Sequence, residues 1–306
     1  MSRTKVIVKI LRLGRLHFIL AGFFLFLMGA TFALVSGAEF SGSKLLIGYL
    51  ILFLAHLSVH YSNDYFDVDS DKFGQPTTFT GGTGVLVNNP QLRCFAKWFA
   101  LFLMGSSITL AAFFTVIYSY PLWFMGYVIM GNLLGWFYAA PPLKLAYRGL
   151  GELSTIFTIG FLVPVMGYVV MAEHLTREFA VLLLPLLIYG IVFIISVQIP
   201  DLEADLLGNK KTIVSRKGRV FGFEAIGVLL FIASGYFFVL PAVYQSYLNF
   251  HFLGFFSLPF LSMGVWGLIK RPDKREKAVE IVNGNLKTLI LFLMLTNIYF
   301  IYLLFS

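Results

Sequence analysis

Charge and cysteine are what this sequence has least of. Only 12% of its 306 residues are Asp, Glu, Lys or Arg, against about 25% in a soluble globular domain. Polar groups that sparse cannot coat a globule in water, so a soluble enzyme is excluded. At 58% hydrophobic residues, a disordered chain and a collagen-like fibre are excluded too. Cys94 is the single cysteine. It has no partner for an intramolecular disulfide and carries no zinc or iron–sulfur pattern. There is no low-complexity tract and no stretch that reads as a soluble domain.

What the chain has is length of apolar run. A spanning helix needs about 20 mostly apolar residues. Nine such segments are expected, near 17–37, 44–62, 95–118, 120–139, 150–172, 178–200, 220–242, 247–269 and 286–305. In lipid every backbone group must be paired within its own segment or a closed barrel, and runs of this length favour helices over barrel strands. The fold class expected is an all-α polytopic membrane protein of nine transmembrane helices, with residues 1–306 as one domain. The first run is too long for a signal peptide and no small-residue cleavage site follows it, so it reads as a retained helix.

Nine spans sort the basic residues. All of the 23 Lys and Arg residues except Lys44 and Arg177 fall on one side. By the positive-inside rule that side is the cytoplasm, with the N-terminus on it. The net charge of +8 is then a topological signal beside a lipid bilayer, and no nucleic-acid partner is expected.

Acids are scarcer, 15 in all, and seven of them lie in two clusters. The first reads Asn63-Asp64-Tyr65-Phe66-Asp67-Val68-Asp69-Ser70-Asp71, and the second Asp201-Leu202-Glu203-Ala204-Asp205. Both sit at the cytoplasmic end of a span. Side chains three and four apart share a helix face, so Asp64, Asp67 and Asp71 form one stripe and Asp201 and Asp205 another. Asp69 and Glu203 fall off the stripes and read as solvated. A lone acid at a helix end would ordinarily be solvated too, but two spaced clusters in so acid-poor a chain call for a cation between them. Hard oxygen ligands suit Mg²⁺ completed by substrate phosphates. Lys144, Arg148, Lys210 and Lys211 supply nearby positive charge for the remaining phosphate oxygens. His56 and His60, one turn apart, read as a polar cavity lining. Gly81, Gly82 and Gly84 fit equally a backbone approach to a flat or anionic group and an ordinary turn.

At these residues the chain resembles the UbiA family of intramembrane prenyltransferases. The family's NDxxDxxxD motif is matched by Asn63, Asp64, Asp67 and Asp71, and its DxxxD by Asp201 and Asp205. Asn209-Lys210-Lys211-Thr212-Ile213 loosely matches a following G-K-x-T-L element. The stretch from Tyr138 through Pro141, Pro142, Lys144, Tyr147 and Arg148 to Glu152 resembles the loop after the fourth helix. Gly81-Gly82-Thr83-Gly84-Val85-Leu86 resembles the menaquinone branch, although Thr80 stands where that branch often has arginine, Gln198 replaces an asparagine and Pro200 an arginine.

The resemblance implies a UbiA-like helical bundle. Its expected activity is Mg²⁺-dependent transfer of a polyprenyl group from an allylic diphosphate to an aromatic acceptor, 1,4-dihydroxy-2-naphthoate first, in menaquinone biosynthesis. It implies Asp64, Asp67, Asp201 and Asp205 as metal ligands, and Asn63, Lys144, Arg148 and Lys210 as diphosphate-binding residues. Asp71, Lys144 and Tyr138 are the catalytic candidates. It implies a multi-pass protein of the cell membrane with its site facing the cytoplasm. The alternatives are another acceptor (a phenazine-like ring, 4-hydroxybenzoate, haem or a glycerol lipid) or a cation-coupled transporter. A CDP-alcohol phosphotransferase is disfavoured, because its D-G-x-x-A-R pattern is absent.

Overall fold

The computed structural model describes the backbone of residues 3–306 and side chains from Val6 onward. Arg3 and Lys5, two of the basic residues in the charge pattern, have side chains outside that range. Fourteen helical segments follow one another: α1 Arg3–Leu13, α2 Leu16–Val35, α3 Gly42–Phe66, α4 Val68–Asp71, α5 Val85–Asn88, α6 Arg93–Ile117, α7 Trp123–Ala139, α8 Gly151–Phe157, α9 Val163–Ala172, α10 Arg177–Leu207, α11 Ile213–Lys217, α12 Arg219–Val243, α13 Phe250–Lys270 and α14 Arg275–Leu303. A π-helical turn, Thr158–Leu162, joins α8 to α9 into one rod. No strand occurs among the described residues.

Eight rods of 20 to 31 residues are long and apolar enough to cross a membrane. The ninth expected span, 120–139, forms α7, which is shorter at 17 residues. It starts late because the chain first turns at Ser119, whose φ is +54°. It stops at Ala139 because Pro141 and Pro142 follow and cannot continue a helix. The last helix begins at Arg275, about ten residues before the apolar run does. Its first turns are polar and extend past the expected boundary at 286.

Hydroxyl caps start several helices. Ser41 accepts from the Lys44 N–H at 3.4 Å, Thr176 from Phe179 at 3.4 Å and Thr212 from Ser215 at 3.0 Å. Inside α10, Pro185 and Pro200 remove backbone donors. At the second of these, arginines from later helices donate to main-chain carbonyls: Arg219 Nε to Ile199 at 2.9 Å and Arg275 Nε to Pro200 at 2.9 Å. Glu203, expected to be solvated, also accepts from the buried Arg219 guanidinium, at 2.7 and 2.9 Å. Asp69 is exposed and pairs with Lys72, at 2.7 Å.

The rods close into a ring. α2 packs on α9, α3 on α6, α10 on α12, α12 on α13, α13 on α14, and α14 returns to α2. The Asn297 amide in α14 donates to the Phe24 carbonyl of α2 at 3.0 Å across that closure. The ring leaves a central cavity of about 370 Å³, within the size range of ligand sites.

Candidate active site

The cavity has two ends of different chemistry. Its deeper wall is apolar, with Leu25 and Leu52, Met166 from α9, and Leu286, Leu289 and Leu293 from α14. The π turn contributes Thr158, Ile159 and Leu162. Its other end carries Asn63, Asp67, Asp71, Asp201, Asp205 and Lys210.

The first acidic stripe differs by one residue from the expected one. Asn63, Asp67 and Asp71 line the cavity, whereas Asp64 does not. Asp64 is 2% exposed, and its carboxylate is held by the Arg15 guanidinium and the Thr83 hydroxyl. The reason is spacing: Asn63, Asp67 and Asp71 recur every four residues, and the break between α3 and α4 falls at Asp67. The expectation that Asp64 reaches a metal with Asp67 therefore does not match its placement behind the stripe.

Lys210 ties the two motifs together. Its Nζ lies 2.9 Å from Asp67 Oδ2, while its own backbone N–H donates to the Asp205 carbonyl at 2.8 Å. The Tyr147 hydroxyl donates to Asp67 Oδ1 at 2.7 Å. The Thr212 hydroxyl donates to Asp205 Oδ2 at 3.2 Å. Burial works against the Lys210 charge, but Asp67, Tyr147, Asp205 and Asp71 outweigh it and hold its pKa well above the ordinary value. Burial pushes the Asp71 carboxyl up to about 7, with Asp67 and Asp64 adding to the shift and Lys210 and Arg15 opposing it.

The glycine-rich stretch joins the same cluster. The Gly81 N–H donates to Asp201 Oδ2 at 3.0 Å, and the Asp71 carboxylate lies where a Cβ on Gly82 would be. One short loop therefore touches the second acidic motif and the end of the first.

Other expected residues lie elsewhere. Tyr138 lines the cavity, but Lys144 and Arg148 do not. Lys144 takes a left-handed backbone conformation, and its ammonium sits 5.5 Å from the centre of the Tyr147 ring. Arg148 is spent on the Pro142 carbonyl at 2.9 Å. Direct phosphate binding by these two is thus not what their positions favour. Arg15, Thr83 and Tyr147 are site residues that sequence reasoning passed over. Arg15 looks like one more basic residue of the positive-inside pattern, and nothing local marks it. Glu152 was another: it is 5% exposed and accepts from Gln198 Nε2 at 3.0 Å and from the Ile213 N–H at 2.6 Å.

Could the site hold a divalent cation? The donors at the acidic end are hard oxygens, and the Asn63 side-chain amide oxygen is buried with no hydrogen-bond partner among the described residues. Five carboxylates face or flank two cationic side chains, Arg15 and Lys210. No group of three His, Cys, Asp or Glu side chains among the described residues closes around one point. Mg²⁺ fits instead by donor type, because it takes hard oxygens and keeps several waters and substrate phosphates in its shell. The residues present fit the group.

The sequence profile of the UbiA prenyltransferase family matches residues 23–286, so the chain belongs to this family of prenyltransferases. A curated relative, the 1,4-dihydroxy-2-naphthoate octaprenyltransferase of Bacillus subtilis, is 25% identical over 178 residues, covering 55% of this chain and 56% of that one. The chain thus matches little more than half the length of that relative. A UbiA homologue from Archaeoglobus fulgidus bound to GPP and Mg²⁺ superposes with a TM-score of 0.68 at 14% identity, over 97% of this chain and 100% of the other. A digeranylgeranylglyceryl phosphate synthase structure superposes at 0.62 and 17% identity, over 97% and 99%. At such identities these two likenesses speak for the fold.

Proposed function

We propose that the protein transfers a polyprenyl group from an allylic polyprenyl diphosphate to an aromatic acceptor, 1,4-dihydroxy-2-naphthoate, in menaquinone biosynthesis, with Mg²⁺ as cofactor. One observation carries the reading: two acidic stripes and Lys210 meet at one end of a cavity whose deeper wall is apolar. The naphthoate choice draws support from the Gly81–Leu86 stretch and from the Bacillus subtilis relative.

Asn63, Asp67 and Asp71 on one side, with Asp201 and Asp205 on the other, would hold the metal and the diphosphate between them. The chemistry a bound Mg²⁺ supplies at such a place is neutralisation of a diphosphate leaving group. Lys210 donates to phosphate oxygens from its place beside Asp67. Asp64 acts through Arg15, keeping that guanidinium at the edge of the acidic cluster. The apolar wall takes the tail, at about 0.8 kcal/mol per buried CH₂, and keeps water from the allylic cation. Tyr138 offers that cation an aromatic face. The site faces the cytoplasm of a cell-membrane protein, where the acceptor and the diphosphate product are water-soluble.

The test is purified protein in nanodiscs with Mg²⁺, labelled prenyl diphosphates of several lengths and a panel of acceptors. Prenylated naphthoquinol is expected, with diphosphate and the acceptor's carboxylate (as CO₂) released, and with kcat/KM lowered about 100-fold or more in Asp67→Ala and Asp201→Ala. Transfer only to another acceptor would remove the naphthoate assignment. No transfer with any donor, beside an active family member run in parallel, would sink the reading.

A further inference from the structure

Beside the acidic cluster the cavity holds a second group of polar atoms that prenyl transfer from a diphosphate does not use. His17 of α2 and His60 of α3 both line it. Each has a buried Nε2 with no hydrogen-bond partner among the described residues, and His60 as a whole is 8% exposed. Both rings are held by contacts with neighbouring rings, with no hydrogen bond to either side chain among the described residues. The His60 ring lies 5.7 Å from Phe18, near parallel at 30°, and 4.9 Å from His56. The His17 ring lies 4.5 Å from Phe18 and meets Phe79 edge-on at 5.4 Å. Phe18 also meets Phe79 at 6.0 Å and Phe193 at 6.0 Å. These side chains form an aromatic box within the same cavity as the acids.

A buried polar atom left unpaired is costly, and two in one box point to a ligand that pairs them. The polyprenyl tail has no group to offer. The diphosphate has its partners at the acids and Lys210. A metal is disfavoured, since no three His, Cys, Asp or Glu side chains among the described residues converge on one point. A flat ring bearing hydroxyl groups meets both requirements. Its faces stack on aromatic neighbours, and its hydroxyl or carboxylate oxygens pair with imidazole nitrogens, which accept or donate according to tautomer.

We propose that His17 and His60, with Phe18 and Phe79, form the subsite that binds a hydroxylated aromatic acceptor and orients its ring toward the allylic carbon. The inference deepens the prenyl-transfer reading and rests on it for the ligand's identity. Phe79 stands two residues before Gly81, which bonds Asp201, so one loop borders both the acceptor and the second acidic motif.

The experiment measures binding of 1,4-dihydroxy-2-naphthoate, through its own fluorescence under anaerobic conditions, to the full chain in nanodiscs without donor. Turnover and donor affinity for geranylgeranyl diphosphate with Mg²⁺ are measured on the same samples. His60→Phe keeps the stacking but loses the nitrogen, and is expected to weaken naphthoate binding about tenfold. Donor affinity should change by less than about twofold, because the acids and Lys210 are untouched. His60→Gln, which restores a hydrogen-bonding group, should recover part of the loss. His17→Phe serves as the independent second variant if His60→Phe does not fold. Wild-type affinity in both Phe variants, or a parallel fall in donor affinity, overturns the proposal, as does a wild-type protein that fails to bind the naphthoate. Naphthoate binding without any transfer would instead remove the prenyl-transfer reading and leave the subsite standing.

Discussion

At Gly82 the backbone φ is +67°, and a Cβ there would collide with the Asp71 carboxylate. Both facts demand glycine, the first because L side chains rarely adopt that conformation. Gly81, with φ +82° and its N–H on Asp201, is constrained in the same way. Gly82→Val should therefore push Asp71 off the cavity edge. Strain of about 1–3 kcal/mol would lower prenyl-transfer kcat/KM about tenfold or more, with the protein still purifying as a single species. Unchanged kinetics would mean the loop does not position Asp71. The acids were legible at this scale because their spacing announces a helix face in a chain otherwise nearly free of them. The role of the glycines was open, because a turn and a clasp on two carboxylates look alike in sequence. Arg15 and Thr83 were not legible, because their partner Asp64 reaches them only after the chain has folded back.

The helices themselves follow from long apolar runs, and their boundaries from caps and prolines. How closely they pack is a separate matter. At Gly167 a Cβ would overlap the Phe26 carbonyl, and at Gly29 one would overlap the Pro164 carbonyl. α2 and α9 thus touch backbone to backbone at two points. In lipid, small residues and close van der Waals contact drive helix association, since tails are as apolar as side chains. Gly167→Val is expected to force the pair apart, at a cost of about 1–3 kcal/mol, and to lower the thermal unfolding midpoint in detergent. An unaltered midpoint would refute the contact. Gly29 and Gly167 each stand seven residues after another glycine, Gly22 and Gly160, a spacing that marks a helix face but not the partner that face meets.

For the whole molecule the charge asymmetry makes a prediction of its own. If α7 crosses along with the eight longer rods, the termini lie on opposite sides and the N-terminal arm is cytoplasmic. A reporter active only outside the cytoplasm should then work when fused after Ser306, and not when fused in the loop holding Lys210. Activity in the loop and none after Ser306 would mean that the topology is inverted or that α7, at 17 residues, fails to span. Activity at neither place would mean that one of α12, α13 and α14 fails to span.

The sequence by itself determined the membrane setting, the run of helices and the two acidic motifs, because each is written in neighbours a few residues apart. Hydropathy, helical spacing and the scarcity of acids are local quantities. Tertiary structure alone decided which face of the first motif meets the cavity, that Asp64 turns to Arg15, that Lys144 and Arg148 stand aside while Lys210 bridges, and that His17 joins His60. Those pairings link residues from 43 to 143 positions apart. They depend on ring closure between helices, which no short window of sequence encodes.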